Sequence, residues 1–330
     1  MKLALLGAGR IGRVHAGNVS ANPRAVLSAV ADVNFEAAKE LADKHGARAY
    51  AEAEQAMADP EIDGVMICSS TDTHVEMIEL AAQYGKPVFC EKPIDLDLAR
   101  VDACLEKVAA AGVPLMIGFN RRFDPHFSAL ERALAAGEIG KIEVLKITSR
   151  DPEPPPAGYV AVSGGIFRDM TIHDLDMARF LLPDEPREVY AAGSCLVSPD
   201  IGRAGDVDTA VVILKTAGGV ICQIDNSRRA VYGYDQRIEA LGEKGMLQAG
   251  NPSPTTLARY TQAAVTTDKP PYFFLERYAE AYRAELDNFL DVVAGKAEPA
   301  VDGQDGRAAL MLADAAARSL AENRTIQLEV

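Results

Sequence analysis

The sequence predicts an α/β protein. Its first part is a parallel sheet with helices on both faces, and its second part is built on an antiparallel sheet with one covered face. Three observations carry this. Residues 1 to about 120 alternate short apolar runs with helical patterns. The first run leads directly into Gly7-Ala8-Gly9-Arg10-Ile11-Gly12. After Asn120 the texture changes to longer alternating runs joined by turn residues.

The opening run, Lys2 to Leu6, reads as a strand, and the Gly-x-Gly-x-x-Gly segment reads as a tight turn into a helix. Gly7 permits the sharp turn, Gly9 lets the backbone approach a pyrophosphate, and Gly12 lets the helix lie close to the sheet. The helix N-terminus offers free N–H groups to the phosphates. Twenty residues after Gly12, Asp32 ends a second run, Val26 to Ala31. An acid there accepts hydrogen bonds from ribose hydroxyls and repels a 2′-phosphate. Val33 and Asn34 follow it, not Arg or Lys, so the cofactor expected is NAD rather than NADP.

The remaining elements follow in order. Asn34 to His45 and Ala51 to Ala58 are helical in character. Gly64 to Cys68 is a buried-strand run, Thr73 to Tyr84 a helix, and Pro87 to Cys90 and Val113 to Gly118 two more strands. Phe127 to Ala136 is a helix closed by Gly137. Ile142 to Ile147, Ala210 to Leu214, Val220 to Ile224, Arg237 to Leu241 and Gly245 to Leu247 are strands, and Gly218-Gly219 is a hairpin turn. Helices return at Tyr278 to Ala294 and Gly306 to Asn323. Asp151 to Pro156 reads as a stiff proline-rich loop. Two domains are expected, 1–120 and 121–330.

The chain has 330 residues and a formal net charge of −14, which argues against general nucleic-acid or anionic-membrane binding. Its five cysteines, Cys68, Cys90, Cys104, Cys195 and Cys222, include no Cys-x-x-Cys pair; a reduced, cytoplasmic protein is the simple reading. The N-terminal apolar run is too short for a signal peptide, and no stretch approaches the length of a membrane span.

Three further clusters carry potential chemistry. Glu91-Lys92-Pro93 ends a parallel strand, at the sheet edge where ligands bind. Lys92 there is either a surface lysine or a group that stabilises negative charge on an alcohol oxygen. Asp169 and His173, reached through Gly164-Gly165, are spaced to share a helix face that Asp176 extends. They read as a carboxylate-held general base, as an N-cap with a packed histidine, or as part of a metal site. Asn120-Arg121-Arg122-Phe123-Asp124, Ser149-Arg150-Asp151 and Tyr232-Gly233-Tyr234 end or follow strands. They either hold substrate hydroxyls or are solvated loop residues. His15 and His74 are expected to cap or pack on their helices.

Taken together, the glycine loop, Glu91-Lys92-Pro93, Gly118 to Asp124, and Gly164-Gly165 leading to Asp169 and His173 resemble the Gfo/Idh/MocA oxidoreductase family. The run Gly165 to Asp176 most resembles its inositol dehydrogenases. The resemblance covers essentially the whole chain. It implies an N-terminal Rossmann domain and a C-terminal α+β domain on an open, mostly antiparallel sheet whose free face joins subunits into a homotetramer, a dimer of dimers. It implies NAD-dependent oxidation of myo-inositol to 2-keto-myo-inositol, with a dehydrogenase for scyllo-inositol or an aldose, or a non-catalytic dinucleotide sensor, as rivals. It implies that Lys92 binds the reacting hydroxyl, that His173 accepts its proton, and that Asp169 contacts substrate and orients His173. Asn120, Asp151 and Tyr234 would line the polyol pocket. Gly7, Gly9, Arg10, Ile11, Gly12, Asp32, Ser69, Thr71, His74, Glu91 and Lys92 would contact the cofactor, and no metal is expected. Arg168 and the Pro154-Pro155-Pro156 loop do not match the pattern.

Overall fold

The computed structural model describes residues 1–328, which form two compact units. One comprises Met1–Asn120 with Tyr282–Leu310, the other Arg121–Ala281 with the chain from Met311 onward. The division therefore differs from two contiguous halves: a late segment returns to the first unit.

The first unit holds a six-stranded sheet: β1 (Lys2–Leu6), β2 (Val26–Ala31), β3 (Arg48–Tyr50), β4 (Gly64–Ile67), β5 (Val88–Glu91) and β6 (Leu115–Gly118). All neighbours run parallel, in the order β3-β2-β1-β4-β5-β6. Every residue of β4 and β6 is buried, as expected of strands covered on both faces. The connections are α1 (Arg10–Ala21), α2 (Phe35–His45), α3 (Ala53–Met57), α4 (His74–Gln83) and α5 (Leu98–Ala111). The Asn34 side chain caps α2 by accepting from the Ala37 N–H at 3.3 Å, and Asp97 caps α5 by accepting from Ala99 at 2.8 Å. β3 has only three residues, too few for alternation to register in the sequence. The strand order reverses between β1 and β4, and a crevice opens at such a point beyond the strand C-termini.

The second unit holds a seven-stranded sheet. Its elements, in chain order, are α6 (Pro125–Ala135), β7 (Ile142–Arg150), α7 (Ala157–Ser163), α8 (Ile172–Leu181), β8 (Pro186–Ser194), α9 (Pro199–Arg203), β9 (Thr209–Thr216), β10 (Ile221–Ser227), β11 (Asp235–Gly242) and β12 (Gly245–Ala249). A separate hairpin, β13 (Ala258–Tyr260) with β14 (Val265–Thr267), follows. Then come α10 (Phe274–Arg277), α11 (Ala279–Val293), α12 (Gly303–Glu322) and β15 (Ile326–Gln327). The order is β12-β11-β7-β10-β9-β8-β15, antiparallel except for the parallel pair β7 and β10. Register puts Leu145, Ile147, Cys222, Ile224, Val212 and Leu214 on one buried face. The opposite face leaves Val144, Tyr190, Val211, Ile221, Leu241 and Met246 exposed.

The unit boundary falls inside α11 and α12. In the first unit, Phe289 of α11 lies against Phe89 with ring centroids 5.8 Å apart. The Ile117 N–H donates to the Val301 carbonyl at 2.9 Å. A Cβ on Gly303 would lie 2.4 Å from Leu105, and one on Gly306 2.8 Å from Ile94, so glycine lets α12 sit directly on this core.

Glu285 of α11 is fully buried, and neither carboxylate oxygen has a hydrogen-bond partner among the described residues. Burial, then the neighbouring Glu91, pushes its carboxyl well above the usual range. In the unfolded chain the same group ionises at its ordinary value. Between that value and the raised folded one, unfolding releases a proton. Stability therefore falls as pH rises, by up to about 1.4 kcal/mol per pH unit. Glu285→Gln removes this penalty. Its melting temperature gains more over the parent at mildly alkaline pH than at mildly acidic pH. An equal gain at both would show that Glu285 is ionised in the fold.

Candidate active site

In the first unit, the turn after β1 is fixed by close backbone approach. Gly7 has φ +104°, and a Cβ there would lie 2.5–2.6 Å from the backbone of Cys68 and Ser69. A Cβ on Gly12 would lie 1.9 Å from the Gly7 carbonyl oxygen. Gly9 differs, since its Cβ would meet nothing within 4 Å and would point into open space. Gly9 is the N-cap of α1 and supplies no side-chain cap, and the first turn holds no acidic residue. The orphan N–H groups there are left for an anion. Gly9 and Arg10 are exposed and Ile11 is half-buried. Asp32 accepts from the Ala8 N–H at 2.7 Å and the Asn34 N–H at 2.8 Å, which anchors its carboxylate at the tip of β2 beside the loop. An open cradle, uncapped helical N–H groups and an anchored carboxylate fit the phosphates and ribose of a dinucleotide.

The ends of β4 and β5 carry the next group. The Ser69 and Thr73 hydroxyls bond at 2.7 Å, and Thr71 opens a 3₁₀ turn over Thr71–Thr73. His74 is buried, with Nδ1 2.8 Å from the Pro93 carbonyl and Nε2 3.2 Å from that of Ser69. Burial lowers its pKa, while the two carbonyls favour a protonated ring nitrogen facing each of them. His74 thus latches the β4 loop to the β5 loop. The Lys92–Pro93 peptide is cis, and Lys92 is half-buried. His15 Nε2 lies 2.7 Å from Glu91 Oε1, with the ring 1% exposed. Neither latch was visible in the sequence, where both histidines were expected to cap or pack on their helices and the resemblance placed His74 at the cofactor.

In the second unit, a π-helical turn, Phe167–Thr171, carries Asp169 and runs into α8, which carries His173. The four-residue spacing between them passes through that turn rather than through a regular α-helix. Tyr159 of α7 donates to Asp169 Oδ1 at 2.9 Å, and the Arg228 guanidinium donates to Asp169 Oδ2 at 2.7 Å and to Asp151 Oδ2 at 3.1 Å. Burial, then Asp169, pushes the Asp151 carboxyl up, against the pull of Arg228. Neither Arg228 nor Tyr159 belongs to a motif that marks it in the sequence.

Other expectations for this unit change. Arg121, Arg122 and Asp176, which read as groups for hydroxyls or as part of the histidine's face, form buried pairs instead. Arg121 donates to Asp174 at 2.5 Å and Arg122 to Asp176 at 2.6 Å. Ser149 is fully buried and donates to Gln236 at 3.0 Å. Tyr234 is 6% exposed, and its hydroxyl lies 3.5 Å from the Arg121 guanidinium, which donates to it. Asn120, which ends the first unit's N-terminal segment, is buried, and its side-chain nitrogen has no partner among the described residues. No group of three or more His, Cys, Asp or Glu side chains able to hold a metal occurs among the described residues.

Comparison with known proteins follows the same division. Residues 1–119 match the model of the oxidoreductase family with NAD-binding Rossmann fold, and residues 127–248 match the GFO/IDH/MocA C-terminal domain. The chain is 49% identical over 330 residues to a myo-inositol 2-dehydrogenase of Thermotoga maritima, covering 100% of this chain and 99% of that protein. It is similar to the crystal structure of a myo-inositol dehydrogenase from Corynebacterium glutamicum, with TM-score 0.96, 47% identity, and 100% and 99% of the two chains covered. It is also similar to a myo-inositol dehydrogenase from Lactobacillus casei in complex with NAD(H) and myo-inositol, with TM-score 0.90, 27% identity, and 100% and 97% covered.

Proposed function

Because the chain belongs to the Gfo/Idh/MocA oxidoreductases, we propose that it oxidises one ring hydroxyl of myo-inositol to a ketone, 2-keto-myo-inositol, with NAD⁺ as acceptor. The observation that carries this reading is the full-length likeness, at about half identity, to a myo-inositol 2-dehydrogenase.

Bound NAD⁺ supplies the hydride acceptor. The Gly7, Gly9 and Gly12 turn and the first turn of α1, with Arg10 and Ile11, hold its pyrophosphate, and Asp32 holds the adenosine ribose. Ser69, Thr71, His74 and Glu91 lie along its nicotinamide half. Lys92 holds the reacting hydroxyl oxygen and stabilises the negative charge that develops there. His173 accepts the hydroxyl proton and must be neutral to do so, so turnover rises toward mildly alkaline pH. Asp169 contacts the substrate and orients His173, while Asn120, Asp151 and Tyr234 position the remaining hydroxyls.

The test is NADH appearance with NAD⁺, and separately NADP⁺, across myo-inositol, scyllo-inositol and glucose. Turnover of myo-inositol with NAD⁺ is the expected result. Turnover of scyllo-inositol or glucose alone moves the substrate, and silence with NAD still bound favours a dinucleotide sensor. Asp32→Ala raises KM for NAD⁺ at least about tenfold and narrows the preference over NADP⁺, since both the ribose acceptor and the repulsion of a 2′-phosphate are lost. An unchanged KM removes Asp32 from the cofactor site.

We further propose that the chain is a cytoplasmic homo-oligomer, a dimer of dimers joined through the open face of the second unit's sheet. Six large apolar side chains on one face, Ile221 central among them, support this. No helix among the described residues is long and apolar enough to cross a membrane. Light scattering is expected to give four times the chain mass. Ile221→Glu is expected to lower that mass, and a monomeric parent would end the proposal.

A further inference from the structure

We propose that Arg228 is a positioning residue for the polyol, holding Asp151 and Asp169 side by side as hydrogen-bond acceptors on one guanidinium. The inference rests on the reading of those two aspartates as substrate contacts.

Arg228 stands just beyond the end of β10 and its side chain is 6% exposed. Its place is fixed from behind: the Arg228 N–H donates to the Asp208 carbonyl at 2.8 Å. The Asp208 carboxylate in turn accepts from the N–H groups of Leu196, Val197 and Ser198, each at 2.8 Å. Asp151 is tied to the same strand end, its N–H donating to the Ser227 carbonyl at 2.9 Å. One terminal nitrogen of the guanidinium reaches Asp151 at 3.1 Å and the other reaches Asp169 at 2.7 Å. Arg228 thus fixes the separation of the two carboxylates.

Both aspartates keep some exposure, 22% and 12% of the side chain, so they remain open to a ligand. Each carboxylate oxygen can accept more than one hydrogen bond, so an oxygen held by Arg228 still has a lone pair for a hydroxyl. The charged and titratable groups around Asp151 include Arg228, Asp169, Arg121 and Tyr234, and those around Asp169 include Arg228 and the Tyr159 hydroxyl. Arg228 donates to both members of the pair. Without it two half-buried carboxylates face each other, and one takes up a proton. That aspartate then donates where the pocket needs an acceptor.

The experiment compares Arg228→Met, Arg228→Lys, Asp151→Asn and Asp169→Asn with the parent enzyme. It measures kcat and KM for myo-inositol across pH, with NADH binding by fluorescence as the control. Arg228→Met is expected to raise KM about tenfold or more, to move the acidic limb of kcat/KM up by about one pH unit, and to leave NADH affinity within about twofold. Arg228→Lys is expected to recover part of both effects. A packing role alone lowers thermal stability and leaves the acidic limb in place, so a folded Arg228→Met with the parent's KM and pH profile overturns the clamp. Should Arg228→Met fail to fold, Arg228→Lys decides. Its ammonium cannot reach both carboxylates in the fork geometry, and an unchanged KM overturns the proposal. If the two aspartate variants raise KM and the arginine variants do not, the clamp alone is wrong. If neither aspartate variant changes KM, the reading of the pocket falls and the clamp with it.

Discussion

Lys92→Ala lowers kcat for myo-inositol oxidation by about a thousandfold, the scale of losing one preorganised donor to a developing oxyanion, while NADH binds within about twofold of the parent. The asymmetry follows from position. The glycine turn proposed to receive the phosphates lies after β1, whereas Lys92 stands at the end of β5, between Glu91, which meets His15, and Pro93, whose carbonyl meets His74. Its two neighbours keep these contacts when the Lys92 side chain is shortened. Lys92→Arg rescues little, because a planar fork cannot replace a point charge at the same reach. The measurement is single-turnover NADH formation with a parallel fluorescence titration. A kcat within about threefold of the parent would take Lys92 out of the chemistry.

The second large effect belongs to Gly12. An alanine methyl there would lie 1.9 Å from the Gly7 carbonyl oxygen, and Gly7 has little room to retreat, because the Cys68–Ser69 backbone comes within 2.5–2.6 Å of where its own Cβ would be. The strain is shed only by lifting α1 off the sheet. Gly12→Ala is therefore expected to cost about 3 kcal/mol or more of stability and to abolish NADH binding. Gly9→Ala separates the two causes. Gly9 has φ −70°, which alanine adopts freely, and its Cβ meets no protein atom within 4 Å. That variant is expected to melt within about 2 °C of the parent yet bind NADH about tenfold more weakly, since the methyl occupies the phosphates' approach. Undiminished NADH affinity in Gly9→Ala would move the pyrophosphate elsewhere.

These positions were legible because local chemistry defines them. A strand, three glycines and an acid at fixed spacing need no knowledge of the rest of the chain. The fully apolar runs at Val65–Met66–Ile67 and Leu115–Met116–Ile117 likewise announce strands covered on both faces. Partnership across long separations was not legible. Arg121 and Arg122 sit after a strand, as hydroxyl-binding residues do, yet their partners Asp174 and Asp176 lie 53 and 54 residues on, and no pattern announces the pairing. Arg228 is one arginine among many until the fold brings it to Asp151 and Asp169, 77 and 59 residues away. The periodicity of α11 and α12 identified two helices but not which core they complete, so a contiguous second domain was expected where the chain returns to the first. Asp169 and His173 fell between these cases: the spacing marked them together, and the π turn that carries Asp169 left no trace in it.

That return sets an order of events during synthesis. The sheet of the first unit emerges early from the ribosome, but Leu105, Leu115, Ile94 and Ile117 wait for Gly303 and Gly306 to cover them. All of Arg121–Ala281 must be made in between. At about 5–20 residues per second this is a delay on the order of 10–30 s. Through that interval the nascent N-terminal segment presents an incomplete apolar surface, a natural client for a holding chaperone. The core beneath β5, β6 and α5, though encoded in the first third of the chain, closes only when synthesis is nearly finished.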